Sequence, residues 1–212
     1  MGTGGDIRQT VRTKIMESAS LLFANHGYQS ITTREIAEAA GMDQMELFHY
    51  FASKDEIMNA LLKADLETAV EAIEHELQQT GSAGERLFRY LLVDLELVCR
   101  SPFNLAGVAT PGVRRDLSFA GARARHQHLC DARVQLIAEG IESGEFAPGD
   151  AEAAGRAIEW TITGALRDIA GWRVPDPASI PQDIADLCLR ALIADHAGID
   201  QVREAALRGR QE

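Results

Sequence analysis

Three times in quick succession, an oxygen-bearing side chain is followed three positions later by glutamate: Thr32–Glu35, Asp43–Glu46 and Ser53–Glu56. Each pair has the form of a capping box. The first residue accepts a hydrogen bond from an otherwise orphaned backbone N–H, and the glutamate reaches back to the start of the helix. Helices are therefore expected to begin near residues 33, 44 and 54. The segment Gly41-Met42-Asp43 separates the first two, and glycine there takes the left-handed backbone that a sharp turn out of a helix needs. Ala37 is small where the helices must cross, and Ile36, Leu47 and Phe51 supply a shared core. Two short helices joined by a three-residue turn make a helix-turn-helix, whose later helix enters the major groove of DNA.

Helical spacing continues through the remaining chain, which predicts an all-α protein. Val11, Ile15, Ala19, Leu22 and Phe23 trace a first helix that Gly27 stops. Met58, Leu62, Leu66, Ala69, Ile73 and Leu77 trace one stripe of a long helix over 54–79, and Gly81, Ser82 and Gly84 break it. Further helices are expected over 85–100, 115–143, 150–172 and 182–197. A Gly- and Pro-containing loop (106–112) precedes the second of these, and the tail beyond Gly198 is either a short helix or frayed. No segment alternates polar and apolar residues long enough to make a strand.

Composition limits what such a chain can do. The apolar runs fall far short of the roughly 20 residues of a membrane span, and the N-terminus lacks an apolar signal segment, so a cytoplasmic protein without membrane association is expected. Cys99, Cys130 and Cys188 lie far apart inside helical patterns and read as buried free thiols. The net charge of −11 argues against a nonspecific nucleic-acid coat. Residues 1–63 carry six Lys/Arg against eight Asp/Glu, while the rest carries 15 against 24. The first segment is the less acidic part, although it is not basic.

The residues Leu22-Phe23, Gly27-Tyr28, Ile31 to Ala37, Ala40-Gly41 and Leu47 to Lys54 together resemble, in type and spacing, the N-terminal DNA-binding domain of the TetR (tetracycline-repressor-like) family. The resemblance covers about residues 7–62; beyond it, only length and helix order are similar. It implies a DNA-binding domain over 1–53, a connecting helix over 54–80, and a ligand-binding and dimerisation domain over 81–212. It further implies a homodimer on palindromic double-stranded DNA. A small-molecule effector would move the connecting helix and alter the separation of the two recognition helices, releasing a repressor from half-sites about one DNA turn apart.

The recognition helix departs from the family pattern. Asp43 and Glu46 stand where Ser or Thr is usual, Met45 replaces a small residue, and Phe48 replaces a tyrosine whose hydroxyl binds phosphate. Three readings of Glu46 remain open. It caps the helix with Asp43, or it accepts from a cytosine amino group while Gln44 pairs with an adenine edge, or it marks weakened DNA affinity. Phosphate contacts are then expected from Thr33 and Arg34 at one helix start and from Lys54 at another, and the resemblance implies DNA-backbone contact from His49 and Tyr50 at the end of the recognition helix. Tyr50 has packing against the connecting helix as its alternative. Arg8 and Arg12 either reach the duplex from a flexible arm or form a solvated face.

In the C-terminal region, Phe88, Leu92, Phe103, Phe119, His128 and Trp160 are candidates to line an effector cavity, with ordinary core packing as the alternative for each. Arg114, Arg115, Arg123 and Arg125 form a basic cluster, read as a guide for an anionic ligand or as a solvated face. His126 and Cys130 share a face at i, i+4 spacing, with His128 nearby. A metal needs three or four such ligands, so no metal and no cofactor are expected. Apolar stripes at Ala154, Ile158, Ile162, Ala165 and Ile169, and at Ile184, Leu187, Cys188, Ala191 and Leu192, suit a four-helix dimer interface or an internal core. No nucleophile–base pair or phosphate-cradling loop points to an enzyme. The competing reading is an interaction protein that keeps the fold without strong DNA binding.

Overall fold

A computed structural model describes residues 3–101, 103, 116–171 and 178–209. Arg114, Arg115, the 106–112 loop, Trp172, and the side chains of Ala165 and Ile169 lie outside the described residues. The chain divides into two compact units, Met1–Leu66 with Ser101–Arg123, and Glu67–Arg100 with Ala124–Glu212. Every regular element among the described residues is helical. Among the described residues the one β-type pairing is an isolated bridge between Phe146 and Ile193.

The N-terminal unit holds α1 (Thr3–His26), a 3-10 turn (Tyr28–Ser30), α2 (Thr33–Ala39), α3 (Gln44–Phe48) and the start of α4 (Lys54–Gln78). Ile15, Ala19 and Phe23 recur on one face of α1 and are fully buried, as are Ile36, Leu47, Ile57 and Leu61. Phe23 meets the buried Tyr28 edge-on, with ring centroids 5.2 Å apart. Phe119, at the end of a 3-10 turn (Leu117–Phe119), also packs edge-on against Tyr28 at 5.7 Å. Arg8 and Arg12 belong to α1, which begins at Thr3, so they do not ride on a flexible arm.

The C-terminal unit holds the remainder of α4 with α5 (Ala83–Arg100), α6 (Ala120–Glu142, from Ala124), α7 (Ala151–Gly171), α8 (Ile180–Leu192), a 3-10 turn (His196–Gly198) and α9 (Ile199–Arg208). Beyond Gly198, Ile199–Arg208 is thus a helix, and Ile199 and Ala206 on it are buried. α5 is its central element and packs against α7, α8 and α9. Its buried residues Leu87, Phe88, Leu91 and Leu95 follow helical spacing. The α6–α7 link turns at Gly144 (φ 78°), and the backbone N–H of Phe146 donates to Gly140 O at 2.9 Å. Gly140 is glycine for lack of room: a Cβ there would collide with the Phe146 ring. No helix among the described residues is long and apolar enough to cross a membrane.

Candidate nucleic-acid interface

All three capping positions form, but only the first is fully reciprocal. Thr32 Oγ1 accepts from the Glu35 N–H, and the Thr32 N–H donates to Glu35 Oε2 at 2.8 Å. These hydrogen bonds to Thr32 lower the Glu35 pKa. Asp43 Oδ1 accepts from the Glu46 N–H at 2.8 Å, but the Glu46 carboxylate makes no return bond. At Ser53 the hydroxyl accepts from the Glu56 N–H, while Glu56 reaches past it to the Ala52 N–H at 2.6 Å.

The turn between α2 and α3 has a specific geometry. Gly41 sits at φ 70°, and its N–H donates to Glu38 O while the Met42 N–H donates to Ala37 O. These two bonds form a Schellman closure, which ends α2 and satisfies its last carbonyls. α3 then packs Leu47 inward, fully buried. Met45, Glu46, Phe48 and His49 face outward, with Met45 71% and Phe48 42% exposed.

The expected contact residues divide into free and engaged groups. Gln44 Nε2 donates to Thr33 Oγ1 at 2.8 Å, tying the start of α3 to the start of α2. The carbonyl oxygen and the second amide hydrogen of Gln44 remain for a base edge. Arg34 pairs with Glu38 at 3.0 Å, but both side chains are mostly exposed. Such a surface pair is worth only about 0.3–0.5 kcal/mol, so a phosphate can take the guanidinium over. His49 is exposed and Tyr50 half-buried.

Lys54 differs from the expectation. Its ammonium donates to the carbonyls of Tyr28 (2.7 Å) and Ile31 (2.8 Å) and lies 4.3 Å from the centre of the Tyr28 ring. Burial lowers its pKa. It closes the carbonyl end of the 3-10 turn, and a phosphate contact would require breaking those bonds. Arg12 was missed in its actual role: its guanidinium donates to the Tyr50 carbonyl and stacks 4.0 Å from the Phe51 ring centre. A cation at the C-terminal end of a helix was a legible possibility, but its source, 38 residues upstream, was not.

Residues 15–61 match the sequence model of the bacterial regulatory proteins of the tetR family. That segment belongs to the TetR family. Among the chain's relatives, the transcriptional repressor KstR2 of Mycobacterium tuberculosis is 27% identical over 139 residues, 65% of this chain and 70% of that protein. The crystal structure of AmtR from Mycobacterium smegmatis superposes with a TM-score of 0.77 at 28% identity, over 93% of this chain and 94% of that one. AibR, solved in complex with isovaleryl coenzyme A and operator DNA, superposes with a TM-score of 0.67 at 22% identity, over 86% and 98% of the two chains; this likeness concerns the fold.

The expected effector-cavity residues are distributed over both units. Phe88 and Leu92 are buried side by side on α5. Phe119 belongs to the N-terminal unit, where it completes the aromatic cluster around Tyr28. Phe103 is half-buried. His128 is exposed and pairs with Glu74 at 3.1 Å, and Trp160 is 72% exposed. Arg123 donates to the Asp116 carbonyl, so it caps a turn of its own segment.

A polar cluster does form in the C-terminal unit, around the His126–Cys130 pair. His126 Nε2 lies 3.0 Å from Glu159 Oε1, and Arg133, 2% exposed, donates to Glu159 Oε2 at 2.9 Å. The hydrogen bonds to Cys130 and Glu159 outweigh burial and raise His126 to about 10. Burial pushes the Glu159 carboxyl up, but its bonds and charges with His126 and Arg133 win and hold it well below the ordinary range. Asp94 on α5 faces the same group without a hydrogen-bond partner among the described residues, and burial raises it to about 6 against the pull of Arg133. Glu159 and Asp94 were not legible as partners, because they come from other helices and only packing brings them to α6.

Proposed function

We propose that this chain is a dimeric transcriptional regulator that reads palindromic operator DNA through α3 and responds to a small molecule bound in its C-terminal region. The observation that carries the reading is α3 itself: a Schellman turn holds it against α2, Leu47 anchors it, and Gln44, Met45, Glu46, Phe48 and His49 are left on its accessible sides. Repression is favoured because the relative KstR2 is a repressor. AibR, which binds both an acyl coenzyme A and operator DNA, supports effector control on this fold. Residues 1–53 are assigned to DNA binding, 54–80 to the connecting helix, and 81–212 to effector binding and dimerisation, all in the cytoplasm.

The dimer surface is assigned to the outer faces of α7 and α8. Trp160 on α7 and Leu187 on α8 are large, apolar and exposed, and Ala157 and Gly164 beside Trp160 allow close approach. Ile158, Ile162 and Cys188 from the same stripes are buried within the chain, so these stripes serve the internal core.

A DNA-free interaction role is the competing reading, favoured by a Glu46 carboxylate on the recognition helix without a partner among the described residues. A gel-shift titration against the promoter of the protein's own gene separates the two. Retardation at nanomolar to micromolar protein that weakens with salt supports the operator reader. Absence of binding to any genomic fragment at low salt would establish the interaction role instead.

A further inference from the structure

The polar cluster of the C-terminal unit contains a donor set that neither DNA binding nor core packing uses. His126 and Cys130, one helical turn apart on α6, share a face, and Glu159 projects from α7 onto it. His126 Nδ1 lies 3.7 Å from Cys130 Sγ, and Cys130 Sγ lies 3.8 Å from Glu159 Oε2. One ligand atom from each residue lies within 4.8 Å of the other two. We propose that His126, Cys130 and Glu159 form a binding site for a divalent transition-metal ion, with zinc the best-matched occupant.

The distances suit zinc in particular. Zn–S near 2.3 Å and Zn–N or Zn–O near 2.0–2.1 Å place tetrahedral donors about 3.4–3.6 Å apart. The separations from sulfur to nitrogen and oxygen are within a few tenths of an ångström of that, and the third, nitrogen to oxygen, is within 4.8 Å, a set that side-chain rotation would draw in around the ion. A thiolate with an imidazole selects a borderline or soft ion over magnesium or calcium. Three protein donors leave a fourth tetrahedral position for water or an added ligand.

Arg133 tunes this site rather than filling it. It holds Glu159 Oε2 at 2.9 Å and approaches Cys130 Sγ at 3.6 Å. An arriving ion replaces the approach to sulfur. The bond to Glu159 persists as the outer-layer contact that orients a carboxylate ligand. The Arg133 charge also offsets the thiolate and carboxylate that the ion draws together. His126 keeps 36% of its side chain exposed, which gives the ion a way in.

The test uses the full chain, reduced and stripped with chelator, then titrated with Co2+ as a spectroscopic probe and with Zn2+. One equivalent of Co2+ per chain is expected to produce a thiolate-to-cobalt charge-transfer band with tetrahedral ligand-field bands, and Zn2+ should bleach both. Cys130→Ser should abolish the charge-transfer band, Cys99→Ser should leave it, and Glu159→Gln should weaken Zn2+ binding by about tenfold or more. His126→Gln, which keeps the sulfur, should shift the ligand-field bands and serves if Cys130→Ser does not fold by circular dichroism. A folded wild-type chain that gives no charge-transfer band overturns the site, as does a band that survives Cys130→Ser or is lost in Cys99→Ser. No DNA enters the measurement, so it stands or falls separately from the operator reading.

Discussion

The Arg12 guanidinium donates to the main-chain carbonyl of Tyr50 and so closes the C-terminal end of the recognition helix from α1. It adds a cation–π contact with Phe51 beside that bond. A charge-assisted hydrogen bond at a helix C-terminus and a stacked cation together contribute about 1–3 kcal/mol. Arg12→Ala is expected to lower stability by that amount in urea melts, with Arg12→Lys recovering only part. A melt unchanged by Arg12→Ala would place this side chain on the solvated surface.

Lys54 is expected to act on stability before it acts on DNA. Its ammonium satisfies two carbonyls and caps the face of Tyr28. Lys54→Met should cost about 1–3 kcal/mol, because the carbonyls lose a charged donor. The slope of log affinity against log salt should stay unchanged, since no phosphate contact is lost. A slope shallower by about one would instead identify Lys54 as a phosphate anchor.

Glu46 presents a carboxylate without a partner among the described residues from the first turn of α3, while the Asp43 side chain caps the helix. Glu46→Gln should therefore leave the melting temperature nearly unchanged and tighten operator binding several-fold, by removing repulsion from the phosphates. Binding-site selection with randomised operators distinguishes the roles: a changed base preference at one position would show that Glu46 reads a base.

Asp94 makes stability depend on pH in the metal-free protein. Its folded pKa is about 6, raised from an ordinary 3.8 by burial, with Arg133 and His126 opposing the shift and Glu159 adding to it. Between those values the folded state binds more protons than the unfolded one, so stability falls as pH rises from about 4 to 6. The contribution is complete below about pH 4 and absent above about 6. Asp94→Asn should remove this step and raise stability at pH 7 by about 1–2 kcal/mol, an amount reduced for the partial exposure of Asp94. Denaturant melts of chelator-treated protein across pH 4–8 provide the measurement.

Gly140 faces the Phe146 ring at a separation too small for a Cβ. Gly140→Ala should cost about 1–3 kcal/mol through overpacking, despite the better helix propensity of alanine. Pairing it with Phe146→Leu should return part of that loss in a double-mutant cycle.

Much of the fold was legible in the sequence because local physics dominates there. Thr32, Asp43 and Ser53 announce helix starts through their own side chains, and Gly41 announces a left-handed turn. Each signal acts within a few residues of its source. Helical spacing likewise places α4 over 54–78, one residue from where the apolar stripe predicts its end. Legibility failed where a side chain chose a partner across the fold. Lys54 has the composition of a phosphate anchor, yet the carbonyls of Tyr28 and Ile31 are brought to it by the packing of α4. Phe119 has the composition of a cavity wall, yet it closes the aromatic cluster around Tyr28.

The order of helices, the caps and the helix-turn-helix were thus set by interactions a few residues long, which any reading of neighbours along the chain can recover. Tertiary packing decided which charges are free. It tied Arg12 to Tyr50, engaged the Lys54 ammonium with carbonyls, left Glu46 without a partner among the described residues, and drew Glu159 to His126 and Cys130. The physical reason is reach: a cap is satisfied by the next turn, whereas an ion pair or a donor cluster depends on which helices meet, and only the packed core determines that.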